Sequence, residues 1–173
     1  ISYSGQMHGL VMIGADGKLI RNAIIWADQR SEKEIQKIYD ITGKDTYRGT
    51  VLNSLSTGFL ISSLMWVKEH EPENFEKIAK IMLPKDYLAY KLSGSFCTDV
   101  SDASGMLLMD VKNRCWSKEM MDICGITEDK LPKLYESYEV VGTLKKEIAD
   151  ELGFSENVKV IAGAGDNAAA AVG

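Results

Sequence analysis

Residues 158–173, VKVIAGAGDNAAAAVG, join a short β-branched run to an alanine-rich run through a turn of glycines and alanines. β-branched residues favour strands and alanines favour helices, so this stretch predicts a strand followed at once by a helix. Strand-like and helix-like runs alternate along the rest of the chain, which predicts an α/β fold. The bend carries a single acid, Asp166. Because ligands of α/β folds bind at the carboxyl ends of strands, Asp166 is a candidate site residue.

Three roles for Asp166 are compatible with this position. Residues 163–168, GAGDNA, fit the dinucleotide-binding pattern G-x-G-x-x-A. That pattern also needs an acid about 20 residues further on, beyond residue 173, and it would place a carboxylate beside an anionic pyrophosphate. Asp is also a favoured helix N-cap, which would make its role structural. The third role is that of a catalytic acid or base, and position alone leaves all three open.

Turn and cap signals give local predictions in the first quarter of the chain. Residues 10–26 hold two apolar runs around an Asp-Gly pair, which predicts a hairpin. Ser31 and Glu34 have the S-x-x-E spacing of a capping box, which predicts that a helix begins there. Gly43 is expected to end that helix.

Periodicity gives further predictions in the middle of the chain. Residues 48–57 have none and are predicted to be loop. Leu60, Leu64 and Val67 fall on one stripe at helical spacing, which predicts a helix with a buried face. Residues 96–110, FCTDVSDASGMLLMD, are predicted to be extended strand and loop.

Composition argues against several classes of partner. The net charge is −5 and the basic residues are scattered, which argues against nucleic acid or an anionic membrane as a partner. The longest apolar run, FLISSLMWV, is too short to span a bilayer. The three cysteines, Cys97, Cys115 and Cys124, lack CxxC spacing, and the histidines do not combine with them at zinc-ligand spacing. The sequence therefore predicts reduced thiols, no metal site and a cytoplasmic location.

A second strand-to-turn corner lies near the start of the chain. The stretch SGQMHG, residues 4–9, packs Gln6, Met7 and His8 between two glycines. Gln and His donate and accept hydrogen bonds to hydroxyl groups, and Met offers an apolar wall, so the set suits a sugar or polyol. A turn histidine with a purely structural hydrogen bond is the alternative for His8.

Five stretches, SGQMHG, IIWADQR, LPKDYLAYKLSG, TDVSDASGMLLMDV and GAGDNAAAAVG, occur in this order along the chain. Together they resemble the FGGY family of carbohydrate kinases over essentially all 173 residues. The resemblance implies an α/β, ribonuclease-H-like domain of the actin and hexokinase type, incomplete at both ends. Residues 1–173 would then be part of the N-terminal sugar-binding domain. The family's phosphate loop would precede residue 1 and its nucleotide domain would follow residue 173, so this piece alone is expected to be inactive.

The resemblance also implies roles for individual residues. Asp166 matches the catalytic base of the family, while Met7, His8 and Asn167 match positions that contact the sugar. Gln6 matches the edge of the sugar cleft. A member that acts on glycerol is expected to carry Arg-Glu where Met7 and His8 stand, so this pair favours a ketopentose.

Two further stretches match motifs of the family, and both are expected to have structural rather than catalytic roles. Trp26, Asp28 and Arg30 match its Trp-x-Asp-x-Arg motif, and Asp28 and Arg30 are expected to form an ion pair that braces the cleft wall. SDASG, residues 101–105, is expected to be backbone scaffolding near the cleft, because no G-x-S-x-G elbow is present.

The implied reaction is transfer of the γ-phosphoryl group of MgATP to the 5-hydroxyl of D-xylulose, giving D-xylulose 5-phosphate. ATP and Mg²⁺ would be bound mainly by parts outside residues 1–173, and the nucleotide-binding residues are unknown. Three alternatives stay open: a kinase of another ketose or polyol, a nucleotide-cofactor-dependent oxidoreductase domain, and a non-catalytic sugar-binding module. The oligomeric state is open too, with a homodimer as one arrangement.

Overall fold

A computed structural model describes the backbone of residues 1–173 and the side chains of residues 1–43 and 48–173. The strands are β1 Ser4–Gly5, β2 Val11–Ile13, β3 Lys80–Met82, β4 Cys97–Asp99, β5 Met109–Asp110, β6 Cys115–Trp116, β7 Lys133–Tyr135, β8 Val140–Thr143, β9 Lys159–Ile161 and β10 Ala164–Gly165. The α-helices are α1 Glu32–Thr42, α2 Lys44–Val51, α3 Leu60–His70, α4 Pro72–Glu76, α5 Pro84–Ser93, α6 Val100–Ala103, α7 Lys118–Cys124, α8 Lys146–Leu152 and α9 Asp166–Val172. Two short 3₁₀ helices span Ser104–Met106 and Glu128–Lys130.

The strands pair two by two, in both orientations. β1 runs parallel to β10 and β4 runs parallel to β7, whereas β2–β3, β5–β6 and β8–β9 are antiparallel pairs. Long connections containing helices separate the partners of each parallel pair, as parallel pairing requires. The predicted mixture of strands and helices is confirmed.

The β1–β10 pair brings the two ends of the chain together. Ser4 lies opposite Ala164, and Gly5 lies opposite Gly165. Because the two strands are parallel, the turns that follow them leave at the same edge. The SGQMHG corner and the GAGDNA corner therefore become neighbours in space although more than 150 residues separate them.

The predicted hairpin in residues 10–26 forms only in part. Its turn is present, with Gly17 in the left-handed region at φ +75°. The second arm makes only isolated bridges to the first, and β2 pairs with β3 instead. β3 offers two fully buried apolar side chains, Ile81 and Met82, while the second arm carries charged Lys18 and Arg21. Burial of apolar area thus outweighs the local pairing.

The helix α1 begins and ends where expected, but the prediction of a capping box at its start is wrong. Gly43 ends it at φ +71° and donates its N–H to the carbonyl of Tyr39. Ser31 stands at the N-cap position without a side-chain cap bond; its hydroxyl pairs with that of Ser62 on α3 at 3.1 Å. Glu34 is buried rather than turned back to the helix start. Packing against α3 has replaced the local cap.

Two regions predicted without helix contain one. α2 covers residues 48–51 of the predicted loop, because Val51 at its end is buried in the main core. α6 interrupts the stretch predicted to be extended at residues 96–110. Asp99 starts α6 by accepting the N–H of Ser101 at 3.0 Å. Both helices are too short to show a periodic pattern, which is why the sequence misses them.

The main core is built around α3. Leu60, Leu64 and Val67, the predicted stripe, are all fully buried and pack in one cluster with α1, β3 and the Met-rich helix α7. A smaller cluster under β8, β9 and α8 centres on Leu144 and Val160. Among the described residues, no helix combines the length and apolarity needed to cross a membrane.

The three cysteines are free thiols, as predicted, but they differ in exposure. Cys97 and Cys124 are buried, whereas Cys115 in β6 is exposed. Burial, followed by the charge of Asp86, raises the pKa of Cys97 to about 11. Burial raises the pKa of Cys124 to about 12.

Candidate functional site

A pocket of about 580 Å³ opens where the two corners meet. Four of the five predicted site residues line it: Met7 and His8 from the first corner, and Asp166 and Asn167 from the second. The rest of its wall comes from Trp26, Ala27, Gln29, Ser56, Thr57 and Phe59. This volume lies within the range of small-molecule sites. Gln6 is half-buried next to Met7 and is not among the described residues that line the pocket.

Two contacts fix the ring of His8 in one orientation. Its ring stacks on Phe59, with 3.8 Å between the ring centroids and 3° between the planes. Nδ1 lies 2.9 Å from the carbonyl oxygen of Gly105. Since a carbonyl can only accept, Nδ1–H donates to it, and Nε2 is the ring nitrogen that this bond does not use. The backbone of His8 is left-handed at φ +74°, a conformation that non-glycine residues adopt rarely and mostly at constrained sites.

Two glycines make room for Met7 and His8. A Cβ added at Gly105 would lie 2.9 Å from Nδ1 of His8 and 3.0 Å from Cε of Met7. A Cβ added at Gly165 would lie 3.0 Å from Cγ and Sδ of Met7. The small residues of the second corner therefore have a packing reason: Met7 sits directly against the backbone that leads into Asp166.

Asp166 occupies the first position of α9 and is exposed in the pocket. The N-cap of α9 is Gly165, not Asp166, so the capping alternative does not hold in its simple form. Oδ1 of the carboxylate still accepts a hydrogen bond from the N–H of Asn167 at 2.8 Å, and Oδ2 takes no part in that bond. A carboxylate at a helix N-terminus is stabilised as an anion. Asp166 can therefore serve as a proton acceptor for a group bound in the pocket.

A chain of hydrogen bonds holds the backbone that precedes Asp166. The N–H of Gly165 donates to Oγ of Ser101 at 3.2 Å. That hydroxyl donates in turn to Oδ2 of Asp99 at 2.5 Å, and the hydroxyl of Ser137 donates to the same oxygen at 2.7 Å. Asp99 itself is fully buried. Two successive hydrogen bonds therefore connect the backbone before Asp166 to the buried carboxylate of Asp99.

Lys85 is the counter-ion of that buried acid. Its ammonium lies 2.9 Å from Oδ1 of Asp86, 3.1 Å from Oδ1 of Asp99 and 3.8 Å from Oδ2 of Asp102. It also donates to the carbonyl of Ala162 at 3.0 Å, just before the corner. Burial lowers the pKa of Lys85, but the carboxylates of Asp86, Asp102 and Asp99 outweigh it, so the net pKa is raised and the amine stays charged.

One ammonium faces three carboxylates in this cluster, and Asp102 shows the consequence. Burial first, and then the charge of Asp86, raise the pKa of Asp102 to about 8; Lys85 opposes them, while Asp99 and Asp166 add smaller upward contributions. Neither oxygen of Asp102 has a hydrogen-bond partner among the described residues. Asp102 is therefore held mostly protonated near neutral pH.

The predicted ion pair between Asp28 and Arg30 is present. Nη2 of Arg30 lies 2.8 Å from Oδ2 of Asp28, and this hydrogen-bonded pairing lowers the pKa of Asp28. The guanidinium of Arg30 also lies 4.8 Å from the ring centroid of Trp66 on α3. Asp28 lies between the pocket-lining residues Ala27 and Gln29 in sequence. Through Arg30 and Trp66, which packs against the main core, the pair connects the pocket wall to that core.

Sequence reasoning missed Lys85 and Phe59. Lys85 stands in LPKDYLAYKLSG, where an isolated lysine gives no sign of burial, yet it is only 3% exposed. Phe59 precedes the periodic stripe of α3 and carries no motif. The one available signal was SDASG at residues 101–105, which contains the two positions, Ser101 and Gly105, that contact the corners.

The pocket does not fit MgATP by itself. Its described lining holds one carboxylate, that of Asp166, and no lysine or arginine. A triphosphate needs cationic or backbone donors, and Mg²⁺ needs several oxygen ligands. The lining suits a neutral polyhydroxy molecule instead, with Asn167, Gln29 and His8 as hydrogen-bonding groups and Phe59 as an apolar face.

Comparison with known proteins agrees with this geometry. The model of the FGGY family of carbohydrate kinases, N-terminal domain, matches residues 1–173. The xylulose kinase of Bacillus subtilis is 42% identical over 173 residues, which are 100% of this chain and 34% of that protein. The xylulose kinase of Escherichia coli is 40% identical over the same length, again 100% of this chain and 35% of that protein.

Comparison with solved structures also finds similarity to carbohydrate kinases. The ligand-bound xylulose kinase of Lactobacillus acidophilus matches with a TM-score of 0.90 at 30% identity, covering 96% of this chain and 34% of that one. Such neighbours confirm the predicted ribonuclease-H-like fold of the actin and hexokinase type. This chain spans about a third of the length of the curated relatives it matches. The chain therefore belongs to the FGGY family of carbohydrate kinases, whose N-terminal-domain model matches it over residues 1–173.

Proposed function

We propose that the protein transfers the γ-phosphoryl group of ATP to the 5-hydroxyl of D-xylulose, forming D-xylulose 5-phosphate. The observation that carries the proposal is the meeting of the two corners, with Asp166 in the same pocket as Met7 and His8. Relatives named xylulose kinase, about 40% identical over the whole chain, support the choice of substrate. They do not favour the oxidoreductase alternative.

Asp166 is proposed as the general base. As the 5-hydroxyl oxygen attacks the γ-phosphorus of ATP, the bond from that phosphorus to the bridging oxygen breaks and ADP leaves. The hydroxyl proton passes to the carboxylate of Asp166, which must be ionised and within hydrogen-bond reach. The position at the start of α9 places the carboxylate beside the N–H groups of the helix N-terminus. The bond from the N–H of Asn167 to Oδ1 orients the carboxylate. Phosphoryl transfer depends mainly on positioning and charge neutralisation, so a single base on a fixed corner is sufficient on the sugar side.

His8, Met7 and Asn167 are proposed to bind the sugar, with Gln6 at the edge of the cleft. Nε2 of His8 can accept a hydrogen bond from a sugar hydroxyl because Nδ1–H is already used by Gly105. The amide of Asn167 can donate and accept beside the reacting end. Met7 supplies an apolar surface and excludes water from that side.

The nucleotide side is proposed to lie outside residues 1–173. Because the pocket lacks cationic residues in its described lining, ATP and its Mg²⁺ would be held by other parts of the full-length protein. Mg²⁺, when bound, neutralises phosphate charge. Residues 1–173 alone are therefore expected to show no ADP release above background with saturating sugar. A cytoplasmic location, with a homodimer as one assembly, completes the proposal.

The test is a substrate panel on the full-length protein. ADP release is measured with D-xylulose, D-ribulose, L-ribulose, xylitol, glycerol and D-gluconate. We expect kcat/KM for D-xylulose to exceed each of the others by at least about tenfold, because a site built to pair particular hydroxyls rejects analogues that lack them. A higher value for another ketose or polyol would replace D-xylulose in the proposal. Binding of a nicotinamide cofactor without any phosphorylation would remove the kinase assignment.

A further inference from the structure

The interface between α1 and α3 contains a buried carboxylate that nothing in the pocket requires. Glu34 on α1 is only 1% exposed, and apart from the neighbouring carboxyl group of Glu69 its oxygens have no hydrogen-bond partner among the described residues. The hydroxyl of Ser63 on α3 is also buried without one. A buried carboxylate without a cation or a hydrogen-bond donor beside it is strongly unfavourable, and such groups are normally paired or bound to a metal.

Two further ligand-type groups lie at the open end of this interface. Glu69 and His70 are adjacent at the end of α3 and are both exposed. One ligand atom from each of Glu34, Glu69 and His70 lies within 4.8 Å of the other two. Ligands bound to one ion at about 2.0–2.2 Å are roughly 3–4.4 Å apart, so small side-chain rotations would complete the site.

His70 is already oriented as a metal ligand. Its Nδ1 lies 3.1 Å from the carbonyl oxygen of Trp66, so Nδ1–H donates to that oxygen and Nε2 is the nitrogen left for a metal. Its ring stacks on the ring of Trp66, with 4.7 Å between centroids and 9° between planes. A hydrogen bond from the second nitrogen to a carbonyl is the usual support of a metal-bound histidine.

We propose that Glu34, Glu69 and His70 bind one first-row divalent cation, with Zn²⁺ preferred over Mn²⁺ and Mg²⁺ bound weakly or not at all. Two carboxylates neutralise the ion, and the imidazole selects against Mg²⁺, which prefers oxygen ligands. Zn²⁺ binds mixed nitrogen and oxygen sets more tightly than Mn²⁺. Water completes the coordination on the exposed side. Lys37 pairs with Oε2 of Glu69, which leaves Oε1 outside that contact.

The cation would join two helices behind the pocket wall. Glu34 belongs to α1, and the other two ligands belong to α3. His70 stacks on Trp66, over whose ring the guanidinium of Arg30 lies. The site therefore stiffens the packing that supports the Asp28–Arg30 pair, without touching the substrate. This inference does not depend on the identity of the sugar.

The test uses full-length protein freed of metal with a chelator that is then removed. ZnCl₂, MnCl₂ and MgCl₂ are titrated by calorimetry, and the thermal midpoint is recorded with and without each ion. We expect Zn²⁺ to bind at this site with one equivalent per chain and to raise the midpoint, because it binds the folded state only. Mn²⁺ should bind more weakly than Zn²⁺.

Three variants assign the binding to this site. His70→Gln, Glu69→Gln and Glu34→Gln should each weaken Zn²⁺ binding by at least about tenfold, since even supporting groups of metal sites contribute that much. Glu73→Gln, an exposed acid on α4 outside the cluster, is the matched control and should bind as wild type. His70 and Glu69 are exposed, so their variants remain informative if Glu34→Gln does not fold.

Two results would overturn the proposal. The first is an absence of Zn²⁺ binding, or equal binding by wild type, His70→Gln and Glu69→Gln. The second is a Glu34→Gln variant that is more stable than wild type in the absence of metal, together with no loss of Zn²⁺ binding. That pattern would mean that Glu34 is buried as the neutral acid and shares a proton with Glu69.

Discussion

The two corners of the pocket are built by different means. The first corner is fixed by packing: the ring of His8 lies on Phe59, and Met7 lies against Gly105 and Gly165. The second corner, with Asp166, is exposed at its side chain and fixed through its backbone. Beneath it lies an ionic cluster rather than an apolar core. The residues proposed to bind sugar are thus positioned by side-chain packing. The proposed base is positioned by backbone hydrogen bonds to a buried ionic cluster.

The largest effect is expected at Asp166 itself. Asp166→Asn keeps the size of the side chain and an oxygen to accept the N–H of Asn167, but it cannot take a proton at neutral pH. We expect turnover of the full-length protein to fall by about 10²–10⁴, with little change in thermal midpoint or sugar affinity. Turnover, midpoint and sugar affinity are measured on one preparation. Turnover within a few-fold of wild type would remove Asp166 from the mechanism.

The next effect tests the ionic support of the second corner. Lys85→Met removes the ammonium and leaves Asp86, Asp99 and Asp102 without their buried cation. Removing one partner of a buried ion pair costs about 3–5 kcal/mol of unfolding free energy. Lys91→Met, at an exposed position on the same helix, is the control. Denaturant unfolding of both variants gives the comparison, and equal stabilities would show that the cluster does not support the fold.

A smaller effect is expected at the first corner. His8→Ala should weaken ketose binding by roughly 1–3 kcal/mol, because a sugar hydroxyl loses its partner. Loss of the left-handed histidine also changes the backbone, so His8→Asn, which tolerates positive φ, serves as a second variant. Sugar affinity is measured for each. If both variants bind every sugar as wild type does, His8 is a structural turn residue.

The last effect appears as a pH dependence of stability rather than as a loss at one pH, and it originates in Asp102. Its pKa is raised in the folded state to about 8 from the ordinary value of 3.8. Its stabilising contribution is therefore complete below that ordinary value and is lost as the pH rises through the folded one. Asp102→Asn mimics the protonated form. The difference in thermal midpoint, variant minus wild type, should grow from pH 5 to about pH 8 and then level off; a constant difference would contradict the raised pKa.

The sequence predicts elements that depend on long patterns or special residues. The apolar stripe of α3 and the end of α1 at Gly43 are confirmed. The capping box at Ser31 is wrong because Ser62, 31 residues away, competes for the same hydroxyl. The helices α2 and α6 are missed because they are too short to show a periodic pattern. Local signals therefore fail where a tertiary partner offers a better contact.

The candidate site is likewise predictable from the sequence only in part. Both corners carry glycines and unusual polar residues, so Met7, His8, Asp166 and Asn167 can be singled out, and the parallel pairing of β1 with β10 joins them. Phe59 and Lys85 cannot be found in this way, since neither differs locally from an ordinary core or surface residue. The variants above test the proposed roles of His8, Asp166 and Lys85.

The unequal burial of the three cysteines leaves one thiol in this part of the chain accessible to a labelling reagent. The thiolate is the reactive form, and burial keeps Cys97 and Cys124 protonated as well as covered. Cys115, beside Trp116 in β6, is exposed. A maleimide dye at neutral pH would therefore label this part of the chain at Cys115 alone, so that an optical reporter can be introduced without removing any native residue.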